Sequence, residues 1–190
     1  MLVLIYGITG IAGQACAQAA LRSGHQVRRL GRNPDKLSKE IIDRLKGFIK
    51  MADIYDVAAL DEATKHIDAI ISADHCSSEV VVDGQILLLR AAERAGVKIF
   101  HGASWNYDWS KIQLGDCESC DSYIAFRNHA RLSSPIKPIY GFVGTILESM
   151  FYHVPSGNSL NRQQKTFSYF GSGNEIWTYT ALENLTAYTV

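Results

Sequence analysis

Short, nearly unbroken apolar runs alternate along this chain with longer segments whose apolar positions recur every three or four residues. Runs of the first kind fit strands covered on both faces, and segments of the second kind fit helices packed against them. Leu2–Tyr6 opens the series as a strand. Residues 13–22, rich in Ala and Gln, predict a helix stopped by Ser23 and Gly24. Residues 26–30 predict a second strand. Asn33 before Pro34 reads as an N-cap with proline at the first helical position, opening a helix to about Lys46 that Gly47 ends. Residues 48–51 predict a short third strand, 57–65 a helix, and 67–72 an apolar fourth strand. Residues 80–95 predict a long apolar helix ended by Gly96, and 97–100 a fifth strand. The fold class that follows is α/β: a Rossmann-type doubly wound parallel sheet with right-handed crossovers and helices on both faces.

Beyond His101 the alternation breaks. Residues 102–121 carry Trp105, Tyr107, Trp109, Cys117 and Cys120 among polar residues, the make-up of a long irregular segment. A helix over 122–132, a sixth strand over 136–140 and a short helix over 145–152 follow. After a polar loop over 155–165, residues 166–170 and 176–179 flank a hairpin-like turn at 171–174, and Thr180 is placed to cap a last helix. The expected organisation is a Rossmann-type domain over residues 1–150 with a partial substrate region over 151–190 packed on it.

Candidate chemistry begins directly behind the first strand. Gly7, Gly10 and Gly13 stand at three-residue spacing between that strand and the first helix. A glycine turn there lets a phosphate approach the backbone, and the helix start supplies free amides and positive dipole. Gly7, Thr9, Gly10, Ile11, Ala12 and Gly13 are therefore expected to surround a dinucleotide diphosphate. The end of the second strand selects the cofactor, because an acid there binds a ribose 2′-hydroxyl and an arginine accommodates a 2′-phosphate. It reads Arg29-Leu30-Gly31-Arg32-Asn33, and Arg32 suits a bidentate phosphate contact with Asn33 beside it. The competing acid, Asp35, falls in a predicted first helical turn, where it serves the helix dipole. NADP is thus the expected cofactor, with NAD as the alternative. The third strand end places Asp53 and Ile54 near the adenine, and the fourth places Ser72 and Ala73 near the ribose, with Asp74 and His75 following.

Composition narrows the partners. Of 190 residues, 47% are apolar, and Lys plus Arg balance Asp plus Glu at 19 each. A neutral chain has no electrostatic footprint for nucleic acid. No apolar run reaches a membrane span, and the opening residues lack the basic region and length of a secretion signal. Four cysteines in a chain this long do not form a disulfide framework, so the expected compartment is the cytoplasm with reduced thiols. Cys117 and Cys120 make a single C-x-x-C, too few ligands for zinc, and no metal site is expected. A thioredoxin-like role would need the pair at a helix start after the first strand, and the pair is taken as loop thiols.

The same residues resemble the NmrA-like family and its relatives, the isoflavone and phenylcoumaran benzylic ether reductases. The matching stretches are Gly7-Ile-Thr-Gly-Ile-Ala-Gly13, Gly31-Arg32-Asn33-Pro34 and Ile67-Asp-Ala-Ile-Ile-Ser72. Phe100-His-Gly-Ala-Ser-Trp105 occupies the place of the family's Phe-x-Pro-Ser-Glu-Phe/Trp-Gly element. Trp105-Asn-Tyr-Asp108, Gly115-Asp-Cys-Glu118 and Ser134-Pro-Ile-Lys-Pro138 look most like fungal members, as do Gly171-Ser-Gly-Asn174, Trp177 and Thr180. The resemblance implies hydride transfer from NADPH to a small aromatic molecule. It sets Phe142-Val-Gly144 against the family's Phe-Ala-Gly, which lies by the nicotinamide. The family's Phe-x-x-Lys lysine, counted from Phe126, falls on His129, a residue type capable of acid–base work near neutral pH. Tyr107 is a lesser acid–base candidate. Tyr123 and Arg127 echo a Tyr-x-x-x-Lys pair with arginine in the second place. Such proteins continue well beyond a point like Val190, so the chain is either naturally short or a fragment. A short chain would leave one side of the pocket open or have it closed by a partner subunit, as in a homodimer.

The leading expectation is an NAD(P)H-dependent oxidoreductase acting on a small aromatic or terpenoid-like molecule of secondary metabolism. Two others stand beside it: a redox-sensing regulator that binds the cofactor without turnover, and a non-redox isomerase, cyclase or dehydratase on the same fold.

Overall fold

The computed structural model describes residues 1–33, 37, 39–74, 77–151, 160–161, 163–168 and 171–190. Five parallel strands form the central sheet in the order β3-β2-β1-β4-β5: β1 (Leu2–Tyr6), β2 (Gln26–Gly31), β3 (Phe48–Lys50), β4 (Ala69–Ser72) and β5 (Ile99–His101). The order reverses at β1, where β2 pairs on one side and β4 on the other, with Tyr6 opposite both Leu30 and Ser72. That reversal opens a crevice at the carboxyl ends of β1 and β4.

Alternation along β1 explains why both faces are covered. Leu4 and Tyr6 belong to one buried cluster with Leu30, Ile70, Leu60, Leu88 and Phe126. Val3 and Ile5 belong to the other, with Cys16, Ala17, Ala20, Val27 and Ile71. The first face carries α3 (Val57–Thr64), α4 (Gln85–Ala95) and α5 (Glu118–Ser133); the second carries α1 (Ile11–Arg22) and α6 (Leu182–Thr189), which pack on each other. Each fully buried Leu or Ile contributes about 1.5–3 kcal/mol. Small residues on α1 let it lie close to the strands, and Gly96 at φ 74° ends α4 in the left-handed conformation glycine favours.

Several expected elements differ. The helix expected from Asn33 to Lys46 survives within the described residues as α2 (Lys39–Ile42), followed by turns; Pro34 and Asp35 lie outside the described residues. The long helix before Gly96 begins as a wide π-helical turn over Val80–Gly84, where Gly84 passes close to the Tyr6 hydroxyl. The sixth strand does not form: residues 136–140 make one isolated bridge, Ile139 to His101. Pro138 supplies no amide to a ladder, which leaves the pairing local. Residues 145–151 are not a helix throughout. They form β6 (Thr145–Ile146) and a 3₁₀ turn over Leu147–Phe151.

Among the described residues, the hairpin across 171–174 is also absent. β8 (Thr166–Phe167) pairs antiparallel with β7 (Leu160–Asn161), and β9 (Tyr179–Thr180) pairs parallel with β6. Glu175 folds back onto the amides of Ser172 and Gly173, closing the glycine turn on itself, and these bonds hold its carboxyl down to about 2. Thr180 does not cap α6; its hydroxyl donates to the Val143 carbonyl at 2.7 Å, and Ala181 is the N-cap. Tyr152, residues 155–159 and Phe170 lie outside the described residues. No helix among the described residues is long and apolar enough to cross a membrane.

Candidate functional site

The glycine turn is built by close approach. Gly7 has φ +77°, and a Cβ there would stand 2.5 Å from the amide nitrogen and Cα of Asp74. A Cβ on Gly13 would collide with the Gly7 carbonyl and stand 2.7 Å from Ile8 Cα, so the first turn of α1 presses on the turn itself. Gly10 is the N-cap of α1; its amide donates to the Gly7 carbonyl at 3.0 Å, and no side chain occupies the cap. Gln14 Nε2 donates to the Thr9 carbonyl at 3.1 Å and pins the loop. Ile11, Ala12 and Gly13 begin the helix, where amides have no intrahelical acceptor, and no acid stands in that turn to occupy them.

A cleft of about 370 Å³ opens against this turn at the carboxyl ends of β1, β2 and β3. Five expected residues line it: Gly7, Thr9, Arg32, Asn33 and Ile54. Tyr6, Leu30, Gly31, Met51 and Asp74 line it as well. Tyr6 was missed as a site residue because strand periodicity marks it as core, and only its place at the strand end turns its hydroxyl toward the crevice. Burial and the Asp74 carboxylate push the Tyr6 phenol well above its ordinary range, while the Arg32 guanidinium opposes them. The cleft therefore carries the Arg32 cation, the Asp74 carboxylate and a neutral phenol. Arg32 is exposed at its rim, whereas Arg29 is buried on the opposite face with its guanidinium 4.4 Å from the Phe48 ring centre.

The other expected cofactor residues do not line this cleft. Asp53 accepts the Tyr55 amide at 2.8 Å in a local turn. Ser72 is fully buried opposite Tyr6, and its hydroxyl finds no partner among the described residues. Ala73 extends the ladder by donating to the Tyr6 carbonyl at 2.8 Å, and its backbone lies under Gly7. His75 lies outside the described residues.

Phe142 and Tyr107 come together elsewhere. Both line a shallow groove of about 360 Å³ with Asp108, Thr145, Ile176 and Trp177. Phe142 stands edge-on to Trp109 at 5.2 Å. A larger hollow, about 650 Å³, lies beneath the β5 edge between residues 139–143 and α6, where His101, Trp105, Ile139, Tyr179 and Tyr188 face it. It is mostly apolar and runs from His101 at the end of β5 toward Met1 and His25 beside the strands' amino ends. The cleft at the glycine turn is the site that strand topology designates, and volume does not decide the matter.

The three tryptophan-segment aromatics separate. Trp105 stacks on His101 at 5.2 Å, Tyr107 faces the shallow groove, and Trp109 is buried with Val81, Cys120, Tyr123 and Ile124. Tyr123 stacks on Trp109 and Arg127 lies over the same ring at 5.4 Å, so that pair packs a core and echoes the Tyr-x-x-x-Lys spacing only in sequence. Buried Gln85 fixes the segment, accepting the Ala103 amide at 2.8 Å, while Ser104 Oγ accepts the Gly141 amide at 2.8 Å.

His129 lines none of these three hollows. Its Nε2 lies 3.1 Å from Arg90 Nη2 on the seam between α4 and α5. The guanidinium can only donate, so the imidazole accepts. Arg90 also binds the Glu93 carboxylate at 2.8 Å and the Ser133 carbonyl at 2.9 Å. His129 thus completes a polar clasp between two helices.

Known proteins agree with this architecture. Residues 1–152 match the NmrA-like family. The chain is 30% identical over 116 residues to phenylcoumaran benzylic ether reductase TP7 of Nicotiana tabacum, covering 57% of this chain and 37% of that protein. It is 24% identical to phenylcoumaran benzylic ether reductase Betv6 of Betula pendula, covering 99% of this chain and 63% of that protein. The binary complex of leucoanthocyanidin reductase with NADPH from Vitis vinifera superposes with a TM-score of 0.73 at 24% identity, over 100% of this chain and 62% of that one. The chain thus spans less than two-thirds of the length of these relatives. With the strand order, the glycine turn and the family match all falling on the same residues, the chain belongs to the NmrA-like family.

Proposed function

We propose that the cleft at the glycine turn binds NADPH and that the protein serves an NADP-dependent reductase reaction on a small aromatic molecule. One observation carries the cofactor assignment. The turn after β1 is cut to backbone thickness at Gly7 and Gly13, the α1 amides start directly behind it, and Arg32 stands at the rim of the same cleft. Cβ atoms at either glycine would strike the protein's own backbone, at Asp74 and at the Gly7 carbonyl. Only glycine therefore keeps this turn close-packed, with the α1 amides free behind it and the main chain open to a diphosphate on the cleft side. Gly7, Thr9, Gly10, Ile11, Ala12 and Gly13 would hold the diphosphate. Arg32 and Asn33 would hold the 2′-phosphate and Ile54 the adenine end. Asp53, Ser72 and Ala73, expected beside them, stand outside the cleft and support its walls. NADPH, when bound, supplies hydride. The relatives named as reductases and the NADPH complex of the grape enzyme support this choice of cofactor and chemistry.

The aromatic wall of Tyr107, Phe142 and Trp177 suits a flat apolar substrate, and Tyr107 is the proton donor it offers. A second function is favoured by one observation. His129 is held by Arg90 on a helix seam, which suits a protein that senses the cofactor without turning it over. Calorimetric titration with NADPH, NADP⁺, NADH and NAD⁺, followed by NADPH oxidation with aromatic carbonyl and phenolic ether substrates, separates the two. Tight NADPH binding with turnover supports the reductase. Binding without turnover supports the sensor. No affinity for any of the four nucleotides would sink both.

A further inference from the structure

The structure moves Cys117 and Cys120 out of the irregular loop in which the sequence sets them. Cys117 is the N-cap residue of α5, with extended backbone at φ −150°, ψ 103°, and Cys120 lies in the first helical turn. The Cys120 amide donates to the Cys117 carbonyl at 2.8 Å. Such a closed turn keeps the two Cα atoms within about 7 Å, which overlaps the roughly 4.4–6.8 Å that a disulfide spans. The two thiols have opposite surroundings. Cys117 is partly exposed, and its Sγ lies 3.3 Å from Ser119 Oγ. Cys120 is fully buried against Trp109, Tyr123, Ile124 and Val81.

This asymmetry is what dithiol exchange requires: an accessible sulfur at a helix N-terminus, where amides and dipole favour thiolate, and a shielded second sulfur behind it. Hydrogen bonds from Ser119 and Cys120 hold the Cys117 thiol below its ordinary value, and burial holds that of Cys120 above. The nearby acids oppose a thiolate, but two are engaged with the loop. Asp116 accepts the Gln113 amide and Asp121 accepts the Gly115 amide, each at 2.8 Å, and Glu118 is exposed. No group of three or more metal-type ligands occurs among the described residues, so the pair does not belong to a metal cluster there. Cys16 serves as an internal contrast, fully buried under α1 with its thiol pushed up to about 12.

We propose that Cys117 and Cys120 are a redox-active dithiol that closes to an internal disulfide on reaction with a low-molecular-weight disulfide. The Cys117 thiolate attacks one sulfur of the small disulfide, forming a mixed disulfide and expelling one small thiolate. Cys120 then loses its proton to water and attacks Cys117 Sγ, forming the internal bond and expelling the second small thiolate. Two protein thiols are oxidised and one small disulfide is reduced to two thiols, so electrons balance.

Peptide mapping of the intact, unmodified protein tests this. Glutathione disulfide is the probe, followed by alkylation of remaining thiols and trypsin digestion. Cleavage after Lys111 and Arg127 releases residues 112–127 with both cysteines and neither Cys16 nor Cys76. The expected peptide has lost two hydrogens, resists alkylation and is restored by dithiothreitol. In Cys120→Ser, Cys117 should retain one glutathionyl group, and in folded Cys117→Ser, Cys120 should stay unreacted. Brief iodoacetamide treatment of the reduced native protein should label Cys117 at least about tenfold faster than Cys120. A wild-type peptide that stays fully alkylatable, or that stops at a glutathione adduct without the internal bond, overturns the assignment. So does a folded Cys117→Ser protein whose Cys120 reacts as fast as wild-type Cys117.

Discussion

Gly7 rests directly on the backbone of Asp74: a Cβ on Gly7 would lie 2.5 Å from both its amide nitrogen and its Cα. Two turns far apart in sequence, after β1 and after β4, are therefore one surface. The contact holds the glycine turn flat on one side and leaves its other side to the cleft. Asp74 and Tyr6 meet there because β1 and β4 are paired in register to their ends, Tyr6 opposite Ser72.

Gly7→Ala should disrupt both fold and site. The residue must hold φ +77° and displace the Asp74 backbone. Backbone strain alone costs about 1–3 kcal/mol. Gly10→Ala is the contrast, with φ −76° and its nearest neighbour, the Gly7 carbonyl, at 3.4 Å from the new Cβ. Thermal melts should show a clear loss for the first variant and a small change for the second, while NADPH titration should weaken in both. Equal stability of the two would refute the close-approach account.

Arg32→Ala should discriminate between cofactors. A charge-assisted bond is worth about 1.5–3 kcal/mol, so NADPH affinity should fall by roughly 10- to 150-fold, with NADH affinity little changed. Arg29→Ala does not mimic it, because Arg29 packs on Phe48 on the other face. Parallel titrations of wild type and Arg32→Ala with both nucleotides give the ratio. A ratio that does not move would assign Arg32 to solvent.

His129→Ala should leave cofactor affinity and any turnover unchanged. Its ring bonds Arg90, and Arg90 keeps Glu93 and Ser133 when the imidazole is gone. The expected stability loss is within about 1 kcal/mol. A large drop in turnover at unchanged melting temperature would place this imidazole in the reaction after all.

Acid should weaken the fold through His101. The side chain is buried, and desolvation pulls its pKa down from 6.5 to about 4. The folded protein therefore keeps His101 neutral where the unfolded chain binds a proton. The unfolded state gains protons first as pH falls, so the stabilisation is whole above about pH 6.5 and is lost on the way down to about pH 4. The loss is on the order of 3 kcal/mol. Denaturant melts from pH 7.5 to 4 should show this slope, and His101→Gln should flatten it. An unchanged slope in the variant would move the effect to another group.

Legibility in the sequence follows the range of the forces involved. Leu2–Tyr6 with its glycine turn, and Gly96 as the stop of α4, were readable because each is a local pattern with a local cause. Arg32 and Gly7 were readable as cleft residues because a strand end followed by a turn fixes where they emerge. Tyr6 was hidden by its own periodicity, which marks a core position. Residues 136–140 carry a strand's composition, yet only one bridge forms, because the pairing depends on the path of a distant segment. Cys117 and Cys120 looked like loop thiols until α5 proved to start at Glu118, four residues earlier than its apolar pattern. The first turn of that helix is polar, and polarity alone does not separate a helix start from a loop.

By itself, then, the amino-acid order determined the layers, the direction of the strands, and a backbone turn thin enough for a phosphate. Those depend on side-chain period and on the absence of Cβ atoms, both written residue by residue. Only the tertiary structure decided that Asp74 seals Gly7, that His129 serves Arg90, and that Phe142 and Tyr107 share a groove apart from the cleft. Each of these pairs joins segments distant along the chain. Their meeting is set by the balance of packing and desolvation over the whole core, which no local pattern encodes.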